Sequence, residues 1–239
     1  MKFSHRFKNV YLSLPSSVLS IFGQLAPPMF PILASLQLRD SDDANLARAQ
    51  RNAAANFALL GLLFPRAPSL HRISLQLVFG DNMLPCNWKH LTSLTVSSPM
   101  LADLTLNALA QVPQMRALDL MINIFQDVPP WKDRATVYLN NLSILRLSLV
   151  PARRVPGQID FETNILSMFH CIHCPALQSF SFSCPKMILI SKLIFVSLPL
   201  DMLEELELEM TTTPEVLTEC LLLIPNLTSF KFTDSTYRP

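Results

Sequence analysis

The chain has 239 residues, half of them apolar and 15% charged, with a formal net charge of +1. These proportions exclude a disordered chain, and the balanced charge gives no electrostatic case for nucleic acid as a partner. Only four glycines occur, and no GxGxxG or GKS/GKT stretch is present, which argues against a phosphate-cradling nucleotide fold.

The first predicted element is a strand carrying Phe7, Val10 and Leu12 in the pattern apolar-x-x-apolar-x-apolar. The last two positions lie two apart and so share one face of a strand. Pro15 then turns the chain, and Val18, Leu19, Ile21, Phe22 and Leu25 form the stripe of a helix. The strand pattern returns at Leu33/Leu36/Leu38. After an alanine-rich segment over 44–64 it returns at Leu70/Ile73/Leu75 and Leu91/Leu94/Val96.

Ser98-Pro99 then offers a cap and a first-turn proline for a helix through Leu101, Leu104, Ala108 and Val112. Leu101/Leu104/Leu106 also fits the strand pattern, but it falls inside this capped stretch and is set aside. Strands follow at Met115/Leu118/Leu120 and Leu142/Leu145/Leu147. Asp160 precedes a helical stripe of Phe161, Ile165, Phe169 and Ile172. Leu177/Phe180/Phe182 and Leu203/Leu206/Leu208 are the next strands. Thr213-Pro214 caps a helix through Val216, Leu217, Cys220, Leu221 and Ile224, and Leu227/Phe230/Phe232 closes the series.

The middle residues of these nine patterns are 26, 37, 21, 24, 27, 35, 26 and 24 apart. Most steps fall in the range of leucine-rich repeats, and the two long ones read as insertions. Proline often leads into the strand, as in Pro68-Ser-Leu70, Pro113-Gln-Met115, Pro175-Ala-Leu177 and Pro225-Asn-Leu227. Three buried side chains cannot offset the entropy of ordering a whole unit, so the units must stack. The predicted fold is α/β: a leucine-rich-repeat solenoid over residues 1–239. Its short parallel strands line the concave side of a curved stack, with helices and loops on the convex side.

Four stretches carry a resemblance: WKHLTSLTV (88–96), CPALQSFSFS (174–183), LEELELEM (203–210) and PEVLTECLLLIPNLTSFKFTD (214–234). They resemble the F-box/leucine-rich-repeat proteins of mushroom-forming fungi. The resemblance implies a non-catalytic substrate receptor of an SCF-type ubiquitin ligase, whose F-box grips a Skp-type adaptor while the repeats grip a target protein. LPSSVLSIFGQL (14–25) comes near the opening of an F-box helix. However, Ser17 stands where that helix has Glu, and Ile21-Phe22 comes one residue early. One residue is about 100° of helix rotation. These residues are therefore expected to be the first repeat's helix. The chain is expected to be a repeat region without its F-box or a C-terminal cap, and adaptor binding requires an F-box upstream. The alternatives are a truncated remnant with no ligase role and a secreted recognition solenoid.

Other chemistry is weaker. The five cysteines are an odd number without a disulfide spacing, so the chain is expected in the cytoplasm or nucleus. Lys2, Arg6 and Lys8 precede an apolar stretch in the manner of a signal peptide, but Pro15 and a run of serines make a poor core for one. The sequons at Asn141 and Asn226 matter only for a secreted chain. The apolar run over 187–200 contains Lys192 and is too short to span a bilayer, so no membrane is expected as a partner. His170-Cys-Ile-His-Cys174, with Cys184 beyond it, is the one metal-like cluster, and structural cysteines are the reading favoured. No histidine has a pattern of Ser and Asp around it that stands out for catalysis. No cofactor and no enzymatic activity are expected.

The residues flanking the buried strand positions must point out of the concave face. They are mostly small and polar. The candidate partner-binding residues among them are Tyr11, Arg39, Arg72, Gln76, Asp119, Arg146, Glu205, Glu207, Glu209 and Lys231. Arg39 and Arg72 are expected to form one basic spot. Glu205, Glu207 and Glu209 form an acidic row, either a patch for a Lys/Arg-bearing partner or a solvated face balanced by Lys231 and Arg146. Tyr11, Arg72 and Arg146 are the expected interface anchors.

Overall fold

Nine strands form one sheet, every pair of neighbours is parallel, and their order in space is their order in the chain. They are β1 (Asn9–Leu14), β2 (Ser35–Asp40), β3 (Arg72–Gln76), β4 (Ser93–Leu101), β5 (Ala117–Ile124), β7 (Ile144–Pro151), β9 (Ser179–Ser183), β10 (Glu205–Met210) and β11 (Ser229–Asp234). Two further strands, β6 (Val137–Tyr138) and β8 (Ile172–His173), pair parallel in a separate two-stranded sheet. The computed structural model describes residues 6–15, 18, 30–41, 66–77, 89–101, 106–107, 109–124, 136–151, 168–184 and 198–234. Its character is α/β, with an open sheet rather than a closed barrel.

Register follows the sequence pattern residue for residue. Val10, Leu36, Ile73, Leu94, Leu118, Leu145, Phe180, Leu206 and Phe230 are successive partners across the sheet. Leu12, Leu38, Leu75, Val96, Leu120, Leu147, Phe182, Leu208 and Phe232 make a second row. Apart from Phe230, both rows join the hydrophobic core on the inner face or pack against it. A one-residue slip at any strand would turn its apolar pair into water, so burial itself fixes the register.

The joins repeat one hydrogen-bonding device. The carbonyl just before a strand accepts two amides from the next strand's first residues. The Lys8 carbonyl takes Ala34 and Ser35, Arg116 takes Ser143 and Ile144, and Glu204 takes Thr228 and Ser229. The hydroxyls of Thr92, Ser143 and Thr228 reinforce the same carbonyls of His71, Arg116 and Glu204. Before several strands the chain makes a tight turn. The amides of Leu70, Met115 and Leu177 donate to the carbonyls of Ala67, Val112 and Cys174. Pro68, Pro113 and Pro175 thus hold the second turn position, where a fixed φ suits type I and II turns. This is why proline leads into so many strands.

The helix α1 (Pro214–Leu222) starts where its sequence predicts. The Thr213 hydroxyl accepts from the Val216 amide at 3.4 Å, and Pro214 occupies the first turn. Ser98-Pro99 does not start a helix. Both residues continue β4, and the β4–β5 register shifts between Val96 and Met100. Proline has no amide to donate, and an irregular strand segment accommodates that. Helical backbone appears later, at 106–107 and 109. Residues 168–170 are helical and bury Phe169, as the stripe after Asp160 requires, but Ile172 belongs to β8. The alanine-rich stretch over 44–64 lies outside the described residues. So does the predicted helix over 18–25, apart from Val18, whose amide donates to the Pro15 carbonyl. No helix among the described residues is long and apolar enough to cross a membrane.

Candidate functional site

An all-parallel sheet normally has both faces covered. This one does not. Along β2, β3, β9 and β10 buried residues alternate with half-exposed or exposed ones. The outward residues form three rows across the sheet. The central row runs Tyr11, Gln37, Ser74, Thr95, Asp119, Arg146, Ser181, Glu207 and Lys231. Five of the ten predicted partner-binding residues therefore share one line. Strands lie about 4.8 Å apart, so the line spans roughly 38 Å.

The other five flank it. Arg72 and Glu205 lie in the row toward the strand starts, and Arg39, Gln76 and Glu209 in the row toward the strand ends. The predicted single basic spot is thereby corrected. Arg39 pairs with Gln76 and Arg72 pairs with Ser35, four residues away along the strand. At about 3.3 Å per residue their backbones are roughly 14 Å apart. They are two separate positive positions.

Within the acidic row, Glu207 has its counter-charge on the neighbouring strand. Glu207 forms an ion pair with Lys231 on β11 and accepts from the Ser181 hydroxyl at 3.4 Å. Hydrogen bonding from Lys231 is the main reason its carboxyl sits below the usual glutamate range, with Arg146 contributing from two strands away. Glu209 accepts from the Ser183 hydroxyl at 3.3 Å. Glu205 is exposed. The solvated reading of this row, with Lys231 as its counter-charge, fits these contacts better than an unsatisfied patch.

The centre of the outer face differs in kind. Asp119 and Arg146 are direct cross-strand partners. Asp119 is half-buried, and this desolvation pushes its carboxyl above the ordinary aspartate value against the opposing pull of Arg146. Around the pair lie Ala117, Met121 and Ile144. Ile144 is 36% exposed, an aliphatic side chain on a mostly polar face. Sequence reasoning placed Ile144 in the outward rows without singling it out. Tyr11 is 56% exposed but stands on the edge strand, about 24 Å from Arg146 across the sheet, so it is not part of this cluster.

The histidine–cysteine motif is split by its surroundings. Cys171 and Cys174 are buried, as is Cys184, whereas His170 and His173 are exposed. Burial pushes the Cys174 thiol to about 11 and the Cys184 thiol to about 12, so neither is poised as a thiolate. His173 instead meets Tyr138 edge-on, with ring centroids 5.3 Å apart, joining β8 to β6. Among the described residues no group of three or more His, Cys, Asp or Glu side chains could hold a metal ion.

The outer rows thus form a mostly polar surface with Asp119, Arg146, Met121 and Ile144 near its centre. No protein-family model matches the chain, and no curated protein matches it at a significant level.

Proposed function

We propose that the chain is a protein-binding module of leucine-rich-repeat type whose outer sheet face takes a target protein. The observation that carries this reading is the outer face of a nine-stranded parallel sheet, which no element among the described residues covers. Folds that bury both faces of such a sheet have no use for an alternation of buried and exposed residues. A repeat array uses it, because the inner rows hold the stack together while the outer rows stay free to vary. The binding centre is the cluster of Ile144, Arg146, Asp119 and Met121. Arginine side chains near the middle of an interface are common energetic anchors when apolar neighbours exclude water around them, whereas rim charges contribute little. The ligase assignment rests on sequence resemblance alone. In that reading the face selects the substrate, and an F-box elsewhere in the protein engages the Skp-type adaptor.

Proximity labelling in cells tests the binding face. The expected result is a set of partners recovered with the unaltered chain and lost with Ile144→Asp and Arg146→Glu. Recovery of the same set with both variants sinks the assignment of the face. Co-purification of a Skp-type adaptor with the protein expressed from its native gene separately tests the ligase role. Absence of the adaptor, beside an F-box protein that retains it in the same assay, removes that role.

A further inference from the structure

The centre of the outer face is ordered along its strands as well as across them. The outward residues of β5 run Ala117, Asp119, Met121, and those of β7 run Ile144, Arg146, Ser148. Each pairs with its counterpart, so the two strands present three steps in turn. Ala117 with Ile144 is apolar, Asp119 with Arg146 is charged, and Met121 beside Ser148 supplies a second apolar side chain. Across the sheet the same pair is flanked by Thr95 and Ser181, both polar. Apolar contact around the pair therefore lies along the strand direction.

Successive steps are two residues apart, about 6.6 Å. An extended segment has the same repeat, because its alternate side chains point to one side. Laid along β5 and β7, such a segment sets three alternate side chains over the three steps.

The middle step decides what that segment carries. Among the described residues no hydrogen bond or ion pair reaches the side chain of Asp119 or Arg146. Arg146 is exposed, and Asp119 is half-buried, where desolvation raises its pKa against the pull of Arg146. A carboxyl that has lost part of its water gains from a new donor. A partner's acid would meet Arg146 but also Asp119, about 4.8 Å away on the next strand. A partner's Lys or Arg would meet Asp119 but also Arg146. A primary carboxamide suffers neither repulsion. Its amide group donates to the Asp119 carboxylate while its carbonyl accepts from the Arg146 guanidinium.

We propose that the target meets this face as an extended segment that presents an Asn or Gln side chain to Asp119 and Arg146, with an apolar residue two positions to either side. The apolar residues cover Ile144 with Ala117 and Met121, and so keep water from the central hydrogen bonds. The inference rests on the outer face being the binding face.

Selection of random linear peptides displayed on phage, against the purified chain, tests it. The enriched peptides should share the order apolar-x-Asn/Gln-x-apolar. Replacing the carboxamide residue by Ala should weaken binding about tenfold or more, read by fluorescence anisotropy. The decisive readout is a switch of preference. Asp119→Asn removes the charge that repels an acid, so a peptide with Glu at the central position should bind this variant better than it binds the unaltered chain. Arg146→Gln should likewise admit a peptide with Lys there. Both switches are gains of binding, which a misfolded variant does not imitate, and circular dichroism confirms folding of each. Peptide binding that survives Ile144→Asp and Arg146→Glu overturns the reading of the outer face itself. Binding that those variants abolish, but that acidic, basic or wholly apolar central residues carry, overturns the carboxamide assignment alone. So do two variants that keep the preference for Gln, and so does a library from which no peptide enriches over a control protein.

Discussion

Strands β9 and β11 carry nearly the same inner sequence, Ser179-Phe-Ser-Phe182 and Ser229-Phe-Lys-Phe232, in different surroundings. In both, the two phenylalanine rings stack, with centroids 6.1 Å apart on β9 and 6.5 Å on β11. On β9 the rings also meet Phe169, at 5.9 Å and 6.0 Å, and each phenylalanine is 1% exposed. On β11 Phe230 remains 40% exposed. The local sequence makes the pair, and the neighbour on the far side makes the core. A unit with neighbours on both sides is buried, and one with a single neighbour is half-built, the behaviour of a nearly one-dimensional structure.

The sharpest way to break this comparison is to truncate both phenylalanines. Phe180→Ala should cost about 3–5 kcal/mol, because it removes a fully buried ring and leaves a cavity. Phe230→Ala should cost roughly 1–2 kcal/mol, since much of that ring is already in water. Urea denaturation of the two variants reads the difference directly. Equal losses would mean that β11 is as fully packed as the middle of the sheet. A smaller effect is expected at the helix beside β11. Thr213→Ala removes the hydroxyl that caps α1 and should cost about 1 kcal/mol, with the loss measured in the same assay.

Much of this order was legible from the sequence, for a physical reason. Each strand's apolar pair recurs with period two, and the proline turn before it fixes where the strand begins, so the nine strands and their register follow from the pattern. The separation of Arg39 from Arg72 was equally implicit: one follows its strand's second inner residue and the other precedes the first. What escaped has no period. β6 and β8 are two residues each, too short for alternation to show. Ser98-Pro99 satisfies the chemistry of a helix cap and also that of an irregular strand segment, and only the β4–β5 register distinguishes them. In the candidate site the outward rows were readable, but the importance of Ile144 depends on its residual exposure, which sequence does not give.

The outer face offers a finer test, because two of its carboxyls, Glu207 and Asp119, are displaced in opposite directions. Glu207 is lowered chiefly by hydrogen bonding from Lys231. Its folded state therefore binds protons more weakly than the unfolded chain. The associated stability is present above the unfolded pKa and is lost as pH falls through the folded one. Glu207→Gln should flatten that acid limb. For so exposed a pair the loss near neutral pH is about 0–1 kcal/mol.

Asp119 has the reverse sign. Desolvation raises its pKa, so the folded state holds the proton more tightly, and ionisation costs stability as pH rises through the folded value. Asp119→Asn removes that cost together with the attraction to Arg146, two changes that oppose each other. Because desolvation is the larger, the variant should be equal to or slightly more stable than the unaltered chain near neutral pH. It should be no more stable at acid pH, where Asp119 is already neutral. Thermal melts from acid to neutral pH separate the outcomes: a difference curve that grows with pH identifies desolvation as dominant. A variant that weakens progressively as pH rises would instead make the Arg146 pairing dominant, and the centre of the face would then be held by charge rather than strained by it.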